Sequence, residues 1–141
     1  MHDQVDARVR DEWEVVLAAV APLLSLWCSD LNPRFGASRA SRALGFASAH
    51  AFNESLRARG LPPYQVLRDW YIVVRLLEVA PAETLSRWSW KHGREPATYY
   101  RFVKRVTGLT WRALNSLGAE RVRLRALEHW RPYERKGHNI P

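Results

Sequence analysis

The stretch that decides the fold is SRALGFASAHAFNESL, from Ser41 to Leu56. Ser41 stands four positions before Gly45, and Ser48 precedes a run that places Phe52 and Leu56 at i and i+4. Glycine ends helices because it takes a left-handed conformation with no Cβ penalty. Serine starts them because its side-chain oxygen accepts an otherwise orphaned N–H of the first turn. The stretch therefore predicts a short helix capped by Ser38 and ending at Leu44-Gly45, a tight turn, and a second helix from Ser48 to Gly60. Ser41 lies where two closely crossing helices need a small side chain.

The pattern recurs 48 residues later: Gly93 and Gly108 are spaced like Gly45 and Gly60, 15 apart, Ser89 stands as Ser41 does, and Leu109 follows as Leu61 does. Two short helices joined by a tight turn make a helix-turn-helix. In such a unit the second helix enters the major groove and its first residues meet base edges. A plain helical bundle with glycines at its helix ends would carry the same spacing.

Outward from the repeat, Trp13, Val16, Leu17, Val20, Leu24 and Trp27 follow the spacing of one helical face, predicting a helix from Asp11 to Ser29 that Pro22 kinks or splits. Asp30 to Gly36 reads as a loop. Pro63 opens a long helix to Val79 with Leu67, Trp70, Val73, Val74 and Leu77 buried. Pro81 opens a short helix ending at Gly93, and Glu95-Pro96 starts one ending at Thr107-Gly108. Thr110 caps a helix that Gly118 interrupts, and Ala119 to Trp130 continues it. No run alternates as a strand would, so the expectation is an all-α fold. It comprises an acidic N-terminal helix with a first helix-turn-helix unit (1–62), a linker helix (63–80), a second unit (81–130) and a loose basic tail (131–141).

Length and charge bound the function. The 141 residues suit one core, and the longest apolar run, Val15 to Leu24, is ten residues, too short for a membrane span. The N-terminus lacks the basic start of a secretory signal, so a cytoplasmic protein is expected. One cysteine, Cys28, excludes an intramolecular disulfide and reads as a small buried hydrophobe. Residues 1–30 hold two arginines against six acids, a net −4, whereas residues 31–141 hold twenty bases against eight acids, a net +12. A basic body of that size is the electrostatic footprint of a polyanion binder. The acidic start suits a solvated helix N-terminus, a partner surface or a lid over the basic groove. Phosphate-cradling loops, zinc-protease spacing and nucleophile elbows are absent from the sequence, and the five histidines are scattered, so neither catalysis nor a metal or other cofactor is expected.

Two segments carry a family resemblance. Ser41–Leu56 resembles the helix-turn-helix of AraC/XylS-type transcriptional regulators, whose pattern is Ala-x-x-Leu-Gly-Phe-Ser-Ser followed by two Phe four apart. YYRFVKRVTGLTWRAL, from Tyr99 to Leu114, resembles that family's second motif, Phe-x-x-x-Phe-Lys-Arg-x-x-Gly-x-Ser-Pro. The likeness runs from about Glu14 to Leu117. It implies two homeodomain-like three-helix units on a central helix of about 25 Å. It also implies a nucleoid-associated transcription regulator that binds double-stranded DNA as a monomer, across two major-groove segments, with RNA polymerase as a possible partner. The size is that of the family's short stand-alone members. Departures are Ser41 in place of alanine, Tyr71 of arginine, His92 of an aromatic or leucine, and Trp111 of proline. Each unit is also one residue short.

Within the first unit, His50 and Asn53 are the candidate base readers: Asn53 suits adenine, and His50 suits guanine or a phosphate. In the second they are Ala97, Thr98, Tyr100 and Arg101, with Arg101 suited to bidentate contact with guanine. Candidate phosphate contacts are Arg39, Arg42, Ser48, Arg57 and Arg59 in the first unit and Arg87, Lys91, Lys104 and Arg105 in the second. The seven tryptophans read mainly as core; Trp90 and Trp111 fit that least well. A protein-docking helix-turn-helix module (for a toxin, sigma factor or polymerase subunit) and a non-specific nucleic-acid binder remain the competing readings.

Overall fold

The computed structural model describes residues 2–27, 31–80 and 84–138. They form nine helices and no strand: α1 (His2–Ala19), α2 (Ala21–Trp27), α3 (Ala37–Ala43), α4 (Ala49–Ala58), α5 (Tyr64–Val79), α6 (Leu85–Lys91), α7 (Pro96–Thr107), α8 (Trp111–Leu117) and α9 (Ala119–His138). The protein is all-α. The expectations for Cys28 and for a helix start at Pro81 fall outside the described residues.

The first half of the repeat recurs in its backbone bonds, whereas α4 and α7 end differently, Leu61 donating to Leu56 but Gly108 to Lys104. At the end of α3, the N–H of Phe46 donates to the Ser41 carbonyl (2.8 Å) and that of Gly45 to Arg42 (3.2 Å). At the end of α6, Arg94 donates to Ser89 (2.9 Å) and Gly93 to Trp90 (3.0 Å). Both are Schellman endings, which need a left-handed residue after the cap. Gly45 and Gly93 supply it with φ of 83° and 72°. Ser41 and Ser89 are buried under the crossing helices, each hydroxyl donating to a carbonyl of its own helix, Ser38 or Leu85. Ser48 and Thr110 cap α4 and α8 as expected, accepting from the N–H groups of Ala51 (3.0 Å) and Ala113 (3.2 Å). Ser38 does not cap α3; Gly36 holds the N-cap position, one residue before the helix begins.

The ends of the chain differ from expectation. The first helix starts at His2 rather than Asp11, and the break falls at Val20, before Pro22. The tail expected to be loose continues α9 to His138 with Pro132 inside it. Just before that segment, Trp130 of α9 stacks on Trp13 of α1, ring centroids 5.1 Å apart and 12° from parallel. Arg10 pairs with Glu120 (3.6 Å) and Arg131 with Glu12 (3.2 Å). Ion pairs of both senses thus join α1 and α9.

The central helix α5 is buried along much of its length, including two charged residues, Arg68 and Asp69. Arg68 donates to one Asp69 oxygen through Nε (3.0 Å) and one terminal nitrogen (2.7 Å), and through the other to the Phe35 carbonyl (3.2 Å). The second Asp69 oxygen lies 3.7 Å from Arg105 on α7. Removing one member of a buried pair leaves an uncompensated charge, whereas replacing both with apolar groups is often neutral. Asp69→Ala is therefore expected to cost about 3–5 kcal/mol in urea unfolding, and Arg68→Met with Asp69→Leu much less. A loss below about 0.5 kcal/mol for Asp69→Ala would show that the pair holds nothing.

Candidate nucleic-acid interface

The second helical pair, α6 and α7, presents the more basic surface. Glu95-Pro96 opens α7 with proline as its first helical residue, where the missing N–H costs nothing. Tyr99, Phe102 and Val103 point into the core, which turns Ala97, Tyr100, Arg101 and Lys104 to solvent and leaves Thr98 half-buried. The Tyr100 hydroxyl is 3.3 Å from that of Ser86, tying the α7 face to α6. Arg87, Trp90 and Lys91 are exposed on α6, Trp90 by 64%. Among the described residues, no ion pair engages Arg87, Lys91, Arg101 or Lys104. Arg105 is different: it leans over the Phe102 ring and pairs with Asp69, so part of its charge is spent inside.

The first pair, α3 and α4, is less free. His50 is exposed, as are Arg39, Arg42 and Ser48. Arg39 lies over the Phe35 ring (4.5 Å) at its base. Arg57 is exposed beside Glu54, 3.9 Å away, an acid that opposes phosphate on the same helix.

Two residues expected to face DNA turn toward the protein instead. The Asn53 side-chain oxygen accepts the backbone N–H of Tyr64 (2.9 Å), the first residue of α5. The cause is Pro63, which occupies the N-cap of α5 and has no side-chain acceptor, so the orphan donor is satisfied from α4. Arg59 donates to the carbonyl of Ala19 at the end of α1. Asn53 is thus a cross-helix cap, and Arg59 a tie between α4 and α1.

Behind these faces, Tyr64 joins α5 to α2 and to the loop before α3. Its hydroxyl donates to the Phe35 carbonyl (2.7 Å) and accepts from Trp27 Nε1 (3.0 Å). Burial raises its pKa above the ordinary 10, against the lowering pull of Trp27 and Arg68, so it remains a donor at neutral pH. Tyr99 of α7 receives Arg94 (2.6 Å) and donates to the Leu31 carbonyl (3.2 Å). The segment from Leu31 to Phe35 therefore touches both helical pairs. Trp111, the residue in the family's proline position, is buried in the core, while Trp90 is not.

Among the described residues no three or more His, Cys, Asp or Glu side chains are placed to hold a metal ion, and no helix is long and apolar enough to cross a membrane. No protein-family model, curated protein or solved structure matches this chain, which leaves its own residues to carry a function.

If Asn53 caps α5, Asn53→Ala should lower stability by about 1 kcal/mol, roughly 4 °C in melting temperature, while Asn53→Asp keeps the acceptor and most of the stability. Equal melting of Asn53→Ala and the parent protein would return Asn53 to the DNA-facing set.

Proposed function

We propose that this chain is a sequence-specific double-stranded DNA-binding transcription regulator, with α7 and α4 as the reading helices of two helix-turn-helix units. The observation that carries the reading is the α7 face. A helix whose buried side is fixed by Tyr99, Phe102 and Val103 turns Arg101 and Lys104 outward, and Arg87 and Lys91 are exposed on α6, which the Ser86–Tyr100 contact ties to α7. Arg101 sits where its guanidinium can grip guanine O6 and N7, and Lys104, Arg87 and Lys91 suit the flanking phosphates. In the first unit His50 is the remaining reader, with Arg39 and Arg42 as backbone contacts. The α5 helix, 16 residues or about 24 Å long, separates the two units. The AraC/XylS resemblance supports the same arrangement, as does the +12 charge of residues 31–141. On this reading the protein acts in the cytoplasm on nucleoid DNA, as a monomer.

The exposed Trp90 favours a second reading, in which the α6 face docks a protein such as RNA polymerase. Mobility shifts with duplex DNA separate the two. If six cations neutralise phosphates, log affinity falls against log salt with a slope of about −5. Arg101→Ala should relax base preference at one position by about 1–3 kcal/mol, while Lys104→Ala weakens all duplexes alike and flattens the slope by about 1. No duplex binding at low salt defeats the DNA reading; equal effects of both variants on every duplex leave a non-specific binder.

A further inference from the structure

A cleft of about 920 Å³ lies away from α7, between α1, α9 and the turn that joins α4 to α5. Its volume is within the range of small-molecule sites, about 300–1,000 Å³. The wall is largely apolar, with Val16, Leu61, Leu124, Leu127 and Trp130 contributing. The charges at its rim are unevenly matched. Arg8 and Arg131 both pair with Glu12, at 3.4 and 3.2 Å. Arg59 meets only the neutral carbonyl of Ala19, and among the described residues no carboxylate pairs with it. Its guanidinium also borders a second, apolar pocket of about 210 Å³ lined by Phe46, Phe52 and Leu23. Among the described residues, the one further acid at the cleft, Asp11, stands eight residues before Ala19, about 12 Å along α1.

We propose that this cleft binds a small amphiphilic organic anion, a carboxylate with an apolar body, whose head group pairs with Arg59 and whose body lies along Leu124, Leu127 and Trp130. The polarity of the cleft sets the orientation. The cation without a counter-charge is at the α4 end, and the acid is at the other. A guanidinium offers several N–H donors in a fork, so Arg59 can donate to both oxygens of a carboxylate as well as to a single carbonyl. An uncharged molecule of the same shape would fill the apolar floor and leave Arg59 as it is. The site stands on the geometry of the cleft and does not depend on DNA binding. Because Arg59 is the C-cap residue of α4, a ligand held there touches the helix that carries His50.

Titration of the full chain with decanoate, followed by backbone amide NMR shifts and calorimetry, tests the site, with decanol as the uncharged control. Decanoate should shift the amides of Gly60, Leu61 and Leu124 and bind at least tenfold more tightly than decanol. Arg59→Gln should abolish that preference, Arg59→Lys should keep it, and Leu124→Trp, which fills the cleft, should weaken both compounds. Equal affinity of decanoate and decanol for the parent protein, or shifts confined to other surfaces, overturns the proposal without recourse to any variant. These outcomes are independent of duplex binding, so either proposal can fail alone.

Discussion

The arrangement of the two helical pairs depends on the guanidinium of Arg68. It is held against Asp69 on the same helix, and it reaches the Phe35 carbonyl at the entrance to α3. Asp69 in turn extends to Arg105 on α7. One buried pair on α5 therefore connects the base of the first helical pair and the last turn of the second. Such a pair is a poor source of stability, since desolvation offsets much of its Coulombic gain. Its effect is geometric: few alternative placements of α3 and α7 satisfy all three groups.

Around that point the polar contacts run between elements distant in sequence. Tyr64 and Arg68 share the Phe35 carbonyl, Tyr99 holds Leu31, and Asn53 caps α5 from α4. Each engages a polar group within the protein. What remains outside differs between the two helical pairs. On α7 the exposed groups are cationic and aromatic, whereas on α4 an exposed Arg57 stands beside Glu54. On the proposed reading, the asymmetry would make α7 the stronger anchor on a phosphate backbone and α4 a lighter contact. The Trp13–Trp130 stack holds α1 along α9, where Glu12 meets Arg131 and Arg10 meets Glu120.

Much of the fold was legible in the chain because the signals were local. Glycines at φ near +75°, a serine or threonine one residue before a helix, and apolar residues at i and i+4 act within a single turn. The repeat could be read for the same reason. The ends were not legible: α1 begins nine residues early and α9 passes through Pro132, and the ion-pair partners near them, Arg10 with Glu120 and Arg131 with Glu12, lie far apart in sequence. Within the candidate interface, the outward direction of Arg101 and Lys104 followed from helical spacing alone. Asn53, Arg59 and Arg105 did not, because their partners lie 11, 40 and 36 residues away. The sequence pattern makes Pro63 the first residue of α5; the structure places it at the N-cap, where it has no acceptor of its own to offer.

The central claim is that a rigid frame presents α7, and more lightly α4, to successive stretches of one duplex. Selection of bound molecules from a pool of random duplexes examines it most directly. The account predicts convergence on a guanine-containing element with a second, weaker element about one helical turn away, about 10 base pairs. A pool that stays random after repeated rounds, while the protein still retains duplex, contradicts sequence reading by these helices.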